Sequence, residues 1–172
     1  MDLVTGIVDT PIGPITLVTS DGKLRELRLP RAGERRSAPR DRGRVPRAIA
    51  GAIAKYFAGS LDALDAIEIE PVGTPLFRHF WAVLRRVPPG AVVSYSELAR
   101  RAGRPRAVRA AAMANARNPI AIVVPCHRVI GANGHLWGYG GGLPMKKFLL
   151  EHEGVPVGDD LKVEPLASAA RR

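Results

Sequence analysis

The residues able to do chemistry gather around the chain's single cysteine. Positions 118–128 read Asn-Pro-Ile-Ala-Ile-Val-Val-Pro-Cys-His-Arg, so Cys126 follows an apolar run and a proline and precedes His127 and Arg128. A lone Cys beside a His is in most proteins a buried, unreactive residue. Three features argue otherwise here. Pro125 forbids helix just before the thiol, which favours a turn that presents it. His127 and Arg128 supply a protonatable and a cationic neighbour, which favour thiolate. The glycine-rich stretch Gly138-Tyr139-Gly140-Gly141-Gly142 lets backbone approach a planar ligand closely. Side chains of adjacent residues seldom bond one another directly, so His127 is expected to act on Cys126 through a water molecule. A nucleophilic thiol with a local base is the implied chemistry.

Charge points to the partner. The 172 residues carry 26 Lys and Arg against 16 Asp and Glu, a formal +10, and the excess is not spread evenly. Residues 74–118 hold nine basic residues and one acid, and residues 31–47 hold seven and two, while residues 48–73 are net acidic. Twenty-one of the 26 basic residues are arginine, whose planar fork suits phosphate. Arginine as a general solubilising residue is the plainer explanation; the segmental bias favours a polyanion. Ordinary globular composition excludes a disordered or fibrous chain. One cysteine excludes an internal disulfide and a multi-thiolate zinc site, and fits a reducing interior. No apolar run of membrane-spanning length is present, and MDLVTGIVDT lacks the basic start of a secretory signal. No cofactor motif is visible, and neither a metal nor a membrane is expected.

The elements that must position the thiol fall into two groups. Val4–Asp9, Pro14–Ser20 and Leu24–Leu29 read as strands joined by turns at Thr10-Pro11-Ile12-Gly13 and Asp21-Gly22. Residues 31–45 read as loop. Pro46–Ala58 spaces Ile49, Ile53 and Phe57 as an amphipathic helix, and Ile67–Ile69 reads as one more strand. Residues 1–73 therefore form an α+β unit, with Pro71-Val72-Gly73 as the linker to residues 74–172. There, Thr74–Val87 reads as a helix stopped by Pro88-Pro89-Gly90. Ser94-Tyr95-Ser96-Glu97 has the form of a capping box. The helix it opens and a second one from Arg104-Pro105 to about Ala116 make a helix-turn-helix pattern. Arg106 and Arg109 sit beside Ala107, Ala110, Ala111 and Ala114, a basic face with little bulk that can approach a groove closely. The same alanines would equally suit tight packing on a neighbouring helix. Ile120–Val124 reads as a buried strand or run.

The pattern Pro125-Cys126-His127-Arg128 with Asn118-Pro119 upstream resembles the active-site signature of the O6-alkylguanine-DNA alkyltransferases. The similarity continues in register through Trp81, Pro89-Gly90, Ser94-Tyr95, Leu98-Ala99, Gly103, Pro105 and Arg109, then Gly134, Gly138-Tyr139, Gly141-Gly142, Lys146, Leu149-Leu150 and His152-Glu153-Gly154. Pro11–Leu17 also resembles that family's first hairpin. The resemblance implies an N-terminal ribonuclease-H-like α/β domain and a C-terminal helical domain with a winged-helix-like helix-turn-helix. It implies direct reversal repair of duplex DNA carrying O6-alkylguanine, in which the base is flipped out and the alkyl group moves irreversibly to Cys126.

Roles carry over residue by residue. Glu153 would orient His127, and Tyr139 would donate to the departing guanine. Tyr95 would press on the phosphate 3′ of the target, and Arg109 would fill the gap left in the stack. Ser94, Ala110, Ala114 and Arg128 would contact DNA. Asn118 would brace the reactive turn, and carbonyls near Cys126 and Val129 would accept from the guanine amino group. A cytoplasmic, nucleoid-associated monomer is implied, with cooperativity along DNA left open.

The sequence departs from the family at three places. Leu76-Phe77 replaces an aromatic-Gln pair. Gly140 replaces a serine found in some members. Trp137 stands where many have a small or polar residue, and is expected to narrow the pocket rim. A cysteine peptidase would need His79, His135 or His152 brought to Cys126, and none lies in such a signature. A non-catalytic alkyl-DNA binder would have Trp in place of Cys126. A bifunctional regulator would need four more cysteines. A pure helix-turn-helix transcription factor is the most distant alternative.

Overall fold

The computed structural model describes residues 3–30 and 45–163. The chain opens with an antiparallel meander of β1 (Leu3–Thr10), β2 (Gly13–Ser20) and β3 (Lys23–Arg28) in that spatial order. The β2–β3 turn is Asp21-Gly22, both at positive φ (50° and 79°), the two-residue mirror-image turn whose twist matches that of paired strands. Between the pairs Val18–Glu26 and Thr19–Leu24 the register shifts by one residue, which leaves Arg25 as the extra residue of a bulge in β3.

Helix α1 (Arg47–Phe57) lies against this sheet. Its buried stripe is Ile49, Ala52, Ile53 and Tyr56, so the i, i+4, i+7 spacing centres on Tyr56 rather than on Phe57, which is only half-buried. Residues 67–69 do not form the expected strand. A 3-10 turn at Ala63–Ala66 leads into a single parallel bridge between Ile69 and Leu24. The loop expected at 31–45 lies outside the described residues except for Val45, as does the chain from 164 onward.

In the second half, α2 (Pro75–Leu84) starts at Thr74, whose side chain accepts from the Phe77 N–H at 3.2 Å, and buries Phe80, Trp81, Val83 and Leu84. Gly73 meets the Trp81 ring so closely that an added Cβ would collide with it, so the segment joining the halves is packed down. Strand β4 (Val93–Ser94) pairs in parallel with β5 (Val129–Ile130). Helix α3 (Tyr95–Arg101) is capped by Ser94, which accepts from the Glu97 N–H at 3.1 Å. The expected return bond from Glu97 is replaced, because its carboxylate is held by Arg100 and Arg101.

Helix α4 (Val108–Ala116) begins later than expected. Arg104-Pro105-Arg106 form a turn closed by the Ala107 N–H on the Arg104 carbonyl at 2.8 Å. Helix α5 (Leu143–His152) closes the domain. The architecture is α+β, and one hydrophobic cluster runs from Ile15, Leu17 and Tyr56 through Trp81 and Leu98 to Val124 and Leu149. The halves are also stitched by backbone: the Leu27 N–H donates to the Pro119 carbonyl at 2.9 Å, tying β3 to the segment that carries the thiol.

Candidate active site and nucleic-acid interface

The reactive turn is built by Asn118. Its Nδ2 donates to the Val124 carbonyl at 2.7 Å and its Oδ1 accepts from the Ile120 N–H at 3.0 Å. The apolar run Ile120–Val124 is thereby folded back on itself rather than extended, with Ala121 bridging Val124. Ile122 sits at φ 71°, a left-handed conformation that a β-branched residue adopts at a cost of about 1–3 kcal/mol. That turn delivers Cys126 into a 3-10 turn, Cys126–Arg128, on the wall of a chamber of about 290 Å³. Tyr95, Asn115, Asn118, Tyr139 and Gly140 share the lining with the thiol. His79, His135 and His152 do not line it.

Behind Cys126 lies a buried polar cluster. His127 is fully enclosed, and its Nε2 meets Glu153 Oε1 at 2.8 Å. Arg128 grips the same carboxylate, Nε to Oε2 and Nη2 to Oε1, each at 2.8 Å, and Nη1 donates to the Val87 carbonyl. Arg128 is thus buried and committed inside the protein, not on a DNA surface as expected from its place in the motif. A fourth donor comes from far away in sequence. Tyr56 Oη donates to Glu153 Oε1 at 2.7 Å.

These contacts set the protonation states. Burial pushes the Glu153 carboxyl up, but the hydrogen bonds and charges of His127 and Arg128 outweigh it and hold the group well below the usual carboxylate range. An ionised carboxylate is acceptor only, so Nε2 carries the proton and Nδ1 is the free acceptor. Nδ1 is buried without a protein partner. Burial lowers the His127 pKa despite Glu153, keeping the ring neutral. Burial raises the Cys126 pKa, opposed by the Asn118 side chain and the Lys146 charge, so the resting thiol keeps its proton.

Lys146, which the sequence offered only as part of a family pattern, is fully buried. Its Nζ donates to the Val129 carbonyl at 2.6 Å and to the Trp137 carbonyl at 2.9 Å, tying the glycine-rich loop to β5. Burial lowers its pKa to about 8. Tyr139 is half-buried with its hydroxyl enclosed and without a protein partner, and burial raises its pKa well above the ordinary value. Gly140 faces open space. Trp137 is 55% exposed and does not line the chamber. Its indole lies so close to Gly131 that a Cβ there would collide with it, so the ring does not narrow the rim as expected.

On the outer side, α4 presents Arg109, Met113 and Ala116 to solvent, followed by exposed Arg117 just past its end, with Ala110 and Ala112 half-buried. Ala111 and Ala114 turn inward, and the Ala114 carbonyl accepts from Trp81 Nε1 at 2.8 Å. The alanines therefore serve both helix packing and a low outer face, and Ala114 belongs to the packing. Tyr95 and half-buried Ser94 stand at the start of α3, next to the chamber. Among the described residues, no group of three or more His, Cys, Asp and Glu could hold a metal ion, and no helix is long and apolar enough to cross a membrane.

Comparison with known proteins fits this geometry. Residues 75–155 match the family described as 6-O-methylguanine DNA methyltransferase, DNA binding domain. A methylated-DNA–protein-cysteine methyltransferase of Mycolicibacterium paratuberculosis is 47% identical over 151 residues, 85% of this chain and 89% of the relative. The chain belongs to the methylated-DNA–protein-cysteine methyltransferase family. The family's Salmonella typhimurium member is 51% identical over 109 residues, 63% of this chain, and that match spans 64% of the relative, just under two thirds. A Mycobacterium tuberculosis OGT crystallised in complex with DNA is 41% identical with a TM-score of 0.75, covering 87% of this chain and 91% of that one. A crystal structure of the Mycobacterium tuberculosis O6-methylguanine methyltransferase has a TM-score of 0.75 at 40% identity, over 88% of this chain and 93% of that one.

Proposed function

We propose that this protein repairs duplex DNA carrying O6-alkylguanine by transferring the alkyl group to Cys126, once per molecule. The observation that carries the proposal is the thiol on a chamber wall with a neutral imidazole and an ionised carboxylate stacked behind it. The thiol proton passes through a water molecule to His127 Nδ1, and Glu153 stabilises the imidazolium. The sulfur forms a bond to the alkyl carbon as the carbon–O6 bond breaks, and the electron pair stays with the purine. Tyr139 hydrogen-bonds the developing anion; its raised pKa makes it a donor rather than a full acid. The purine ends with one proton more, matching the one Cys126 lost. A thioether has no ready hydrolysis route among these side chains, so each molecule acts once.

Access requires the base to leave the helix. Arg109 and Ala110, on the outer side of α4, lie against the minor groove, with Arg109 filling the vacated stack and offsetting part of the few kcal/mol that unstacking costs. Tyr95 and Ser94 meet the phosphate beside the target, and the Val129 and Cys126 carbonyls accept from the purine amino group. Helices α3 and α4 then act as a winged-helix-like reader in residues 74–172, and residues 1–73 as a ribonuclease-H-like unit that backs it. The protein works as a monomer on DNA.

The test is incubation with duplex bearing O6-guanine whose methyl carries a label. Stoichiometric label on protein, abolished by Cys126→Ser with DNA affinity retained, is the expected result. DNA binding without label transfer would favour a non-catalytic lesion binder.

A further inference from the structure

Glu153 is held from both halves of the chain. Its Oε1 accepts from His127 Nε2, Arg128 Nη2 and Tyr56 Oη, and Tyr56 is the donor farthest away, 97 residues off in sequence on α1. Tyr56 occupies a position whose neighbours on the helix stripe, Ile49 and Ile53, are purely apolar, and it is fully buried. A phenylalanine would fill the same volume, and a buried hydroxyl is costly unless bonded. Its ring is fixed edge-on against His152 and Phe57, at centroid distances of 5.0 and 5.1 Å, and its own carbonyl meets His152 Nε2 at 2.8 Å. Helix α1 is thereby clasped to the end of α5, where Glu153 follows directly.

We propose that Tyr56 is a positioning residue for alkyl transfer, its hydroxyl aiming the Glu153 carboxylate and limiting the proton affinity that Glu153 confers on His127. The inference rests on the reading of Cys126 and His127 as nucleophile and base. The physical reason is competition for one oxygen. Each donor on Oε1 takes part of its negative charge, so the phenol leaves less of that charge for the imidazole N–H. The other charged or titratable groups facing this cluster are Arg128 from the 3-10 turn, Lys146 from α5, His152 from α5 against the Tyr56 ring, and Cys126 and Tyr139 from the chamber. None of them replaces the phenol, because Arg128 already spans both Glu153 oxygens and the Val87 carbonyl, and Lys146 is bonded to carbonyls.

Removing the hydroxyl has two consequences of definite sign. The carboxylate loses one of its fixed donors and aims the imidazole less well, so transfer slows at every pH. It also becomes a stronger attractor for the imidazole proton, so His127 protonates more readily and the acid limb of the rate profile moves to higher pH.

The experiment uses the full chain and methylated duplex in single turnover across pH 5–9. Tyr56→Phe should lower the transfer rate by about tenfold near neutrality, the scale of one hydrogen bond to a charged group, and should raise the acid-limb midpoint. Affinity for undamaged duplex should stay within about twofold, because Tyr56 is fully buried on α1 and forms no part of the exposed face of α4. Replacing Tyr56 by fluorotyrosine, which keeps the shape and donates more strongly, should move the midpoint the opposite way. A rate and midpoint equal to wild type, or a loss of rate tracking only a loss of folded protein while fluorotyrosine leaves the midpoint in place, overturns the proposal. Failure of wild type to alkylate Cys126 would instead sink the underlying reading.

Discussion

Arg128 lays its guanidinium along the Glu153 carboxylate with two parallel bonds of 2.8 Å, and the pair is buried. A side chain expected from the motif to contact DNA is therefore the brace of the buried cluster behind Cys126. Bidentate pairing inside the protein fixes the carboxylate plane, which in turn fixes the imidazole edge. The Val87 carbonyl takes the remaining guanidinium arm, so the loop after α2 is part of the same brace.

Arg128→Ala leaves a buried carboxylate with its main countercharge gone. Loss of one partner of a buried pair costs about 3–5 kcal/mol, far above the worth of an exposed pair. Chemical denaturation should show a loss on that scale. A change below about 1 kcal/mol would mean that the pair is solvated in solution.

Acid should weaken the fold through the same cluster. The folded-state pKa of Glu153 and that of His127 are both depressed, so below the unfolded values the unfolded chain binds more protons at each site. Their stabilising contribution is complete above an unfolded His value of about 6.5. It then declines as pH falls, first through His127 and then, below about 4.3, through Glu153. Denaturant midpoints measured from pH 8 to pH 3.5 should fall in that order, and Glu153→Gln should flatten the lower part. A flat wild-type profile would contradict the buried His127–Glu153 pair.

Asn118→Ala removes both clamps on a turn that already holds Ile122 at positive φ. Two lost bonds cost about 2 kcal/mol. The variant should also carry a thiol that is harder to ionise, since the Asn118 side chain draws the Cys126 pKa down. Thiol titration by a small alkylating reagent should therefore shift to higher pH. An unchanged titration would remove Asn118 from the thiol's surroundings.

Arg109 is exposed at the start of α4, away from the chamber lining. Arg109→Ala should slow repair within duplex by about tenfold or more while leaving attack on free O6-alkylguanine base near wild type. Equal losses on both substrates would refute a role in extruding the base. Affinity for duplex should also fall steeply with added salt.

Local chemistry made much of this arrangement readable in advance. The Asp21-Gly22 turn, the Ser94 cap and the reactive Pro-Cys-His run depend on neighbours within a few residues, and each is where the sequence places it. What escaped depends on partners brought from afar. Periodicity alone could not show that Ile120–Val124 folds back, since a short buried apolar run reads alike as strand or turn until Asn118 is seen to clamp it. Nothing local distinguishes Tyr56 from Phe57, because the choice is made by Glu153 across the core. Arg128 and Ala114 turn inward for the same reason, toward Glu153 and Trp81. Trp137 rests on Gly131, six positions earlier, a contact that only the loop's path reveals.

Mass spectrometry of the intact protein and its peptides, after exposure to an excess of methylated duplex, tests the chemistry most directly. The expected spectrum shows one methyl group per molecule, on Cys126 alone, with no further consumption of lesions once every molecule carries it. An unmodified Cys126 beside demethylated DNA, or more lesions repaired than protein molecules present, would contradict a one-time transfer to this thiol.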